Sequence, residues 1–306
     1  MKRTLVALTG LLALGLTACG GGGNPLDSGA PAGGPPAAAD VVKVGSANFT
    51  ESRLLAEIYA QALEAKGVKV ERSFGIGSRE VYFPALKDGS IDLIPEYTGN
   101  LLQEVDAQAT ATASDQVYQE LTTKLPDPLI VLDQSKAEDK DAVVITKETA
   151  ERYNARSLDD LAPHCGELVF GGPPEFAERP YGLPGIERLY NCKFADFRSL
   201  DAGGPLTVAA LTDGTIQAAD LFTTDPTIAD RGWVALEDPK NNFAAQNVVP
   251  LVNKNKANDQ VRQTLNSISS ALTTDALLQL NREVANAGEN TVADVAKRWL
   301  TANSLG

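Results

Sequence analysis

The chain carries few side chains that are suited to covalent chemistry. Its single histidine, His164, excludes metal sites that need several imidazoles. A Ser-His-Asp triad would have to use the same histidine, and the sequence has no G-x-S-x-G nucleophile elbow. The 40 carboxylates make acid–base pairs possible at almost any spacing, so spacing alone supports none of them. The inventory favours a binding protein over an enzyme, and we expect no cofactor and no metal ion.

Phosphate-binding motifs are incomplete as well. The run Phe74-Gly75-Ile76-Gly77-Ser78 lacks the third glycine of the dinucleotide fingerprint, and no G-x-x-x-x-G-K-[ST] is present. The 306 residues include 27 Lys plus Arg and 40 Asp plus Glu, a net charge of −13. Because phosphate backbones repel such a chain, nucleic acid is not an expected partner.

The N-terminus has the features of an export signal. Lys2 and Arg3 precede an apolar stretch from Leu5 to Ala18 that is too short to span a bilayer and is typical of a secretory signal. The stretch ends in Leu16-Thr17-Ala18-Cys19-Gly20, which resembles a bacterial lipobox. We expect a lipoprotein signal peptide over residues 1–18 and lipidation of Cys19, which would hold the chain on the outer face of a membrane. The alternative is an ordinary signal peptide with an unmodified cysteine.

Residues 19–40 are nearly all Gly, Ala and Pro. Such a segment buries too little apolar surface to offset the entropy of ordering, so it predicts a flexible tether. The folded region is then expected to begin at Val41.

The two remaining cysteines, Cys165 and Cys192, most simply form one disulfide in an exported chain. Closing that Gly- and Pro-rich loop would stabilise the fold by about 3 kcal/mol. A redox or nucleophilic pair is the alternative, although the spacing is not C-x-x-C.

Strand and helix patterns alternate from Val41 onward and predict an α/β fold. The first region reads as strands at 41–45, 68–74 and 91–94 with helices between them, the first helix opening with a capping-box-like pair, Asn48 and Glu51. This order predicts a parallel sheet with right-handed crossovers.

A second α/β unit follows, and the chain then ends in helices. Its expected strands are 142–146, 168–170 and 218–222, followed by an extended run at 248–252 and helices at 259–272, 274–287 and 291–301. We expect one lobe from 41–140 with 249–306 and another from 141–248, with a ligand in the crevice between them.

Six short segments, in this order, resemble one known family. They are Gly45-Ser-Ala-Asn-Phe-Thr-Glu51, Phe74-Gly-Ile-Gly77, Ala85-Leu-Lys-Asp-Gly-Ser-Ile-Asp-Leu-Ile-Pro-Glu-Tyr-Thr-Gly99, Phe222-Thr-Thr-Asp225, Leu236-Glu-Asp-Pro-Lys240 and Asn247-Val-Val-Pro250. They resemble the substrate-binding proteins of ABC importers for quaternary ammonium osmolytes such as glycine betaine, carnitine and choline.

The resemblance implies a two-lobed periplasmic-binding-protein-like (type II) fold with a hinge and an interdomain cleft. It also implies a monomer that closes on a small ligand and delivers it to an ABC permease with its cytoplasmic ATPase. The backbone crossings between the lobes are expected near 137–144 and 246–252.

The family's ligand site is implied residue by residue. A quaternary ammonium cannot donate hydrogen bonds, so aromatic faces hold it at roughly 0.5–2 kcal/mol each. By resemblance Tyr97 and Phe222 are walls of the aromatic cage, Asp139 lies near the ammonium, and Arg179 binds a ligand carboxylate.

Three further positions are expected in the site although they depart from the family. Asp141 and Gln246 stand where aromatic residues are usual, and Asn100 replaces a threonine. Losing rings and gaining polar groups leaves open a cation held by Asp139 and Asp141, or a polar or hydroxylated ligand. Two other functions also stay open, a secreted enzyme on the same fold and a surface receptor that has lost transport.

Overall fold

The computed structural model describes residues 41–306. The expected signal peptide, Cys19 and the tether at 19–40 therefore lie outside the described residues. Within 41–306, no helix has both the length and the apolar character needed to cross a membrane.

The described residues form two five-stranded sheets. In chain order the strands are β1 (Val41–Gly45), β2 (Lys69–Ser73), β3 (Leu93–Tyr97), β4 (Leu129–Val131), β5 (Asp141–Ile145), β6 (Val169–Gly172), β7 (Asp196–Ser199), β8 (Ala218–Phe222), β9 (Val234–Ala235) and β10 (Val248–Asn253). The first sheet has the order β2-β1-β3-β10-β4, and the second has the order β7-β6-β8-β5-β9.

The two sheets have the same design. In the first, β1 is parallel to β2 and β3, as predicted, while β10 runs antiparallel to β3 and β4. In the second, β6 is parallel to β7 and β8, while β5 runs antiparallel to β8 and β9. The antiparallel strands β5 and β10 are those that follow a passage of the chain from one sheet to the other.

Helices cover both sheets. The α-helices of the described residues are α1 (Thr50–Ala65), α2 (Arg79–Asp88), α3 (Thr98–Val105), α4 (Ser114–Lys124), α5 (Lys147–Tyr153), α6 (Leu158–Leu161), α7 (Leu183–Tyr190), α8 (Pro205–Thr212), α9 (Pro226–Asp230), α10 (Asp259–Ala271), α11 (Thr274–Ala287) and α12 (Val292–Ala302). Leu55, Ile58 and Leu63 of α1 are fully buried in one core with Leu265 of α10 and Val295 of α12. The chain therefore leaves the first sheet, builds the second, and returns to complete the core of the first.

Two connecting segments run side by side between the sheets. The Asp139 amide donates to the Gln246 carbonyl at 3.1 Å, and the Val248 amide donates to the Ala137 carbonyl at 3.0 Å. This pairing ties the two passages of the chain into one narrow ribbon, the arrangement that a hinge between two lobes requires.

The second lobe contains a disulfide. Cys165 and Cys192 are bonded to each other, with Cα atoms 5.3 Å apart, and both are buried in a core with Leu161 and Leu168. The bond fastens the turn after α6 to the segment after α7.

Two local expectations are wrong. The capping box at Asn48 and Glu51 does not form, because α1 begins at Thr50 with Phe49 at its N-cap and no side-chain cap. Glu51 instead turns inward and accepts hydrogen bonds from the hydroxyls of Tyr97 and Thr224, at 2.6 Å each. Strand β3 also begins later than expected, at Leu93, and continues to Tyr97 because its whole length pairs with β10.

Candidate ligand-binding site

A cavity lies between the two sheets, and most of the predicted site residues line it. The volume open to the centre of a water-sized molecule within it is about 50 Å³. The predicted residues on its wall are Tyr97, Asn100, Asp139, Asp141, Arg179 and Phe222. They come from strands of both sheets, from α3, from the loop before α7 and from the first connecting segment. The fold thus brings together positions as far apart in the sequence as Tyr97 and Phe222.

Aromatic rings from both lobes meet at this cavity. Phe49 lies just before α1, Tyr97 ends β3, and Phe222 ends β8. The Phe49 ring centroid is 5.1 Å from that of Phe222 and 6.1 Å from that of Tyr97. Tyr82 of α2 adds a further ring to the wall. An organic cation of suitable size would meet the negative faces of such rings.

Three buried carboxylates face the same space. Asp139, Asp141 and Asp220 are only 4%, 5% and 2% exposed. In the antiparallel pair of β5 and β8, Asp141 lies opposite Phe222, and Asp220 precedes Phe222 by two residues on the same face. Side-chain alternation along two strands therefore directs both carboxylates and one ring into the cavity.

The three carboxylates differ in the hydrogen bonds that they accept from the protein. Asp139 Oδ1 accepts from the Thr224 amide at 2.9 Å and from the Thr223 hydroxyl at 3.2 Å. Asp141 Oδ2 accepts from Asn100 Nδ2 at 2.7 Å. Asp220 Oδ1 is buried and has no hydrogen-bond partner among the described residues.

Burial and neighbouring charge act on the protonation of all three groups. Burial raises the pKa of Asp139 and of Asp220 well above the usual range, and Glu51 beside Asp139 and Asp141 beside Asp220 raise them further. Burial also raises the pKa of Asp141, although the Asn100 hydrogen bond and the charge of Arg179 oppose it. A bound cation would favour the ionised form of each carboxylate.

Two arginines line the cavity, and both already pair with carboxylates. Arg79, at the start of α2, is 6% exposed and makes a two-pronged ion pair with the fully buried Glu96 at 2.8 and 2.7 Å. Arg179 makes a similar pair with Glu80 at 2.9 and 3.0 Å. A ligand carboxylate would therefore have to share guanidinium groups that the protein uses.

Several polar contacts cross between the lobes. Asn100 of α3 donates to Asp141 of β5, and the Thr224 hydroxyl, after β8, donates to Glu51 of α1. Arg179 reaches Glu80 in the same way. Each of these hydrogen bonds joins a residue of one lobe to a residue of the other. The cleft is therefore closed in this structure.

Gln246 lies one layer behind the cavity. Its side chain is fully buried, its Oε1 accepts from the Asn100 amide at 3.0 Å, and its Nε2 donates to Asn100 Oδ1. It holds Asn100 in place and does not itself line the cavity wall.

Phe49, Arg79 and Asp220 are among the wall residues that sequence reasoning missed. The sequence did contain a signal for Asp220, because side chains alternate along a strand, and a strand that ends at Phe222 must place residue 220 on the same face. Phe49 belongs to a quoted family segment, but nothing in the sequence alone marks its ring as exposed to a ligand. Arg79 follows the run ending at Ser78, and its burial depends on Glu96, whose position only the fold reveals.

The site has the features of a binding pocket for an organic cation. It combines rings with carboxylates, and His164 pairs with Glu167 near the surface of the second lobe, not at the cavity. Within residues 41–306 no group of histidine, cysteine or carboxylate side chains could hold a metal ion. Two α/β lobes, a paired connecting ribbon and a closed charged cavity define the class of type II solute-binding proteins.

Comparison with known proteins places the chain within that class. The family described as the substrate binding domain of ABC-type glycine betaine transport systems matches residues 40–302. The chain belongs to this family, which confirms both the resemblance and the prediction of a solute-binding protein instead of an enzyme.

The relatives agree with this assignment. Glycine betaine-binding protein YehZ of Escherichia coli (strain K12) is 31% identical over 278 residues, covering 85% of this chain and 91% of that protein. A glycine-betaine-binding protein of Pseudomonas aeruginosa is 32% identical over 232 residues, covering 71% of this chain and 73% of that protein. The crystal structure of a glycine betaine/carnitine/choline ABC transporter protein shares the fold, with a TM-score of 0.67 at 22% identity over 86% of this chain and 99% of that one.

Proposed function

We propose that this protein captures a small osmolyte-type ammonium compound, of the glycine betaine, choline or carnitine kind, and delivers it to the permease of an ABC importer. The observation that carries the proposal is the convergence of three rings and three buried carboxylates on one closed cavity between the lobes. The rings are those of Phe49, Tyr97 and Phe222.

Each part of this wall suits a cation for a separate reason. A ring face contributes about 0.5–2 kcal/mol to the binding of an organic ammonium. Asp139 and Asp141 supply negative charge in a desolvated space, where an ion pair is stronger than in water. Arg179, with Arg79 beside it, is the proposed partner for a ligand carboxylate, which would share the guanidinium with Glu80.

The proposed mechanism is hinge closure of two lobes, 41–140 with 249–306 against 141–248. Segments 137–144 and 246–252 form the hinge, and the contacts across the cleft hold the closed state. A ligand can shift this equilibrium only by the difference between its affinities for the closed and the open state. Residues that touch the ligand from both lobes supply that difference.

The proposed setting is the outer face of the cell membrane. Removal of residues 1–18 and lipidation of Cys19 would anchor the protein, and residues 19–40 would act as a tether with a reach of about 25 Å. The folded part would work as a monomer beside a permease driven by a cytoplasmic ATPase. Globomycin-sensitive processing and loss of membrane association in Cys19→Ser are the results that this part of the proposal predicts.

Calorimetry tests the ligand class. We expect at least one of glycine betaine, choline, carnitine and proline betaine to bind with a dissociation constant in the micromolar range. Phe222→Leu should weaken that binding by about 3- to 30-fold, the worth of one ring face, whereas Tyr153→Leu, far from the cavity, should not. A folded protein that binds none of the four compounds contradicts the proposal.

A second candidate is a polar or hydroxylated ligand on the same fold. The contact between Asn100 and Asp141 favours it, because both groups are polar and both line the cavity. Mass spectrometry of the compounds that co-purify with the protein separates the two candidates, since an ammonium compound and a neutral polyol differ in charge and mass.

A further inference from the structure

We infer that the ligand carries a hydroxyl group close to its ammonium, and that Asp141 recognises this hydroxyl through a hydrogen bond. This inference rests on the proposed function, because it specifies which ammonium compounds the same cavity prefers. The expected ligands are hydroxylated quaternary ammonium compounds of the carnitine or choline kind, and analogues without the hydroxyl are expected to bind less well.

The main observation is that one oxygen of the Asp141 carboxylate is paired and the other is open. Oδ2 accepts from Asn100 Nδ2 at 2.7 Å, whereas no donor from another residue among 41–306 reaches Oδ1. Oδ1 is also not sealed off, because it is not among the described side-chain atoms that are both unpaired and cut off from solvent, as Asp220 Oδ1 is. Since Asp141 is buried except where it lines the cavity, the open oxygen faces the cavity.

Two side chains fix the direction of this carboxylate. Gln246 is fully buried, its Oε1 accepts from the Asn100 amide at 3.0 Å, and its Nε2 donates to Asn100 Oδ1. These contacts orient the Asn100 side chain with its Nδ2 toward Asp141 Oδ2, which leaves Oδ1 for a ligand. Because Asn100 and Asp141 belong to different lobes, the arrangement exists only in the closed state, so a ligand that bonds to it favours closure.

Asp141 lies between the rings and the arginines of the cavity. In the antiparallel pair of β5 and β8 it is directly opposite Phe222, and side chains in that relation have Cβ atoms about 4.5–5.5 Å apart. Burial raises the pKa of Asp141, and the charges of Arg179 and Arg79 oppose the rise, so both guanidinium groups lie near it. A ligand whose ammonium contacts the Phe222 ring therefore presents to Asp141 the atoms next to that ammonium.

The chemistry of the recognised group follows from this position. A quaternary nitrogen carries only carbon substituents, so a donor to Asp141 must come from the adjoining part of the ligand, and a carboxylate there would be repelled. A hydroxyl suits the place because it donates to an ionised carboxyl group and can also accept from a protonated one. A site built to hydrogen-bond a hydroxyl discriminates strongly against the analogue that lacks it, because the polar group of the site is then left unpaired.

Two matched ligand pairs test this assignment by calorimetry. The first compares carnitine with γ-butyrobetaine, and the second compares choline with ethyltrimethylammonium, so the members of each pair differ by one hydroxyl group. In the pair that binds, we expect the hydroxylated member to bind about tenfold tighter or more, the worth of one hydrogen bond to a charged group.

Variants at position 141 should reduce this ratio in two steps. Asp141→Asn keeps the shape without the charge, so the ratio should fall to about threefold, because a charge-assisted hydrogen bond is about twice as strong as a neutral one. Asp141→Leu has no polar group, and the two members should then bind equally. The lost charge weakens both members alike, so the ratio reports the hydroxyl alone.

Controls separate the role of Asp141 from folding. Asp115→Asn removes one exposed carboxylate from α4 and should leave both affinities unchanged. Retained binding of the member without the hydroxyl shows that a variant at position 141 is folded. If Asp141→Leu does not fold, the ratio measured with Asp141→Asn decides.

The outcomes distinguish this inference from the proposed function. If the two members of a binding pair have the same affinity for the wild type, or if the variants at position 141 keep the wild-type ratio, the inference is overturned and the proposed function stands. The same holds if glycine betaine binds and neither pair does. If the folded protein binds no member of either pair and neither glycine betaine nor proline betaine, the proposed function is overturned.

Discussion

The guanidinium of Arg179 pairs with the carboxylate of Glu80 across the mouth of the cleft, through two hydrogen bonds of 2.9 and 3.0 Å. Glu80 lies in the first turn of α2, which covers the first sheet, and Arg179 lies between β6 and α7 of the second. Because its two partners belong to different lobes, this ion pair exists only while the lobes are together. It acts as a latch on the closed state.

Breaking the latch should shorten the life of the complex. We expect Glu80→Gln to weaken ligand binding by about 2- to 5-fold, mostly through faster dissociation, because a partly exposed pair contributes at most about 1 kcal/mol. Stopped-flow measurement of the dissociation rate checks this. Glu283→Gln, which removes an ion pair with Arg298 inside one lobe, serves as the matched control. Equal effects of the two variants would contradict the latch.

The latch should persist in mild acid. Burial raises the pKa of Glu80, but hydrogen bonds from Arg179 and Ser78 outweigh it and lower that pKa to about 2. A carboxylate with a depressed pKa in the folded state loses its contribution only as the pH falls from its usual pKa toward that value. The dissociation rates of wild type and Glu80→Gln should therefore differ by the same factor at pH 7 and pH 5. A difference that disappears at pH 5 would show that another group forms the latch.

The empty protein should lose stability as the pH rises above the usual pKa of a carboxyl group. Burial, with Asp141, Glu175 and Asp139 nearby, raises the pKa of Asp220 well above that of an unfolded carboxyl, while Arg179 opposes the shift. The folded state then binds more protons than the unfolded state, so stability is greatest in acid and falls with increasing pH.

Asp220→Asn should reduce this pH dependence, since the amide is neutral throughout. Thermal unfolding is measured without ligand from pH 5 to pH 8. The melting temperature of Asp220→Asn should change less with pH than that of wild type or of Asp115→Asn, a control that removes an exposed carboxylate from α4. Identical slopes for all three proteins would mean that Asp220 is not buried in the empty protein.

Glu51 should be a structural link between the lobes. Its carboxylate accepts from the hydroxyls of Tyr97 and Thr224 at 2.6 Å and from the side chain of Asn281. Thr224→Val keeps the shape and removes one donor, so we expect a loss of about 1–3 kcal/mol in the free energy of unfolding. Thr122→Val, at an exposed hydroxyl of α4, should change it by less than about 0.5 kcal/mol. Denaturant titration measures both, and equal changes would contradict the role of Glu51.

The disulfide should affect stability and leave affinity unchanged. Cys165 and Cys192 close a loop with a sequence separation of 27 and do not line the cavity. Replacing both by alanine should lower the free energy of unfolding by about 3–4 kcal/mol, chiefly because the unfolded chain gains freedom. Urea titration beside calorimetry checks both parts. A large change in affinity would show that the second lobe transmits this restraint to the cavity.

Local patterns predicted much of the fold. β8 at 218–222 and α11 at 274–287 have the expected bounds, because strong apolar periodicity and clear caps act within a few residues. The position of β10 beside β3 in the sheet could not be predicted, because it depends on the chain returning from the second lobe. The short strands β4 and β9 were missed for the same reason, because pairing with neighbours defines them more than their own residues do.

The sequence could predict which residues form the site, but not how their charges are paired. Family segments pointed to Tyr97 and Phe222, and both line the cavity. The pairing of Arg179 with Glu80, and the lack of a hydrogen-bond partner for Asp220 Oδ1 among the described residues, depend on contacts between residues of different elements. Such contacts decide which groups remain for a ligand, and no single segment of sequence contains them.

A crystal structure of the protein with its tightest-binding ammonium compound is the most direct test of the central claim, that the cavity between the lobes holds an organic cation. We predict the ligand nitrogen within about 6 Å of the ring centroids of Tyr97 and Phe222. A ligand bound outside this cavity, or inside it with the nitrogen turned away from both rings, would contradict the account.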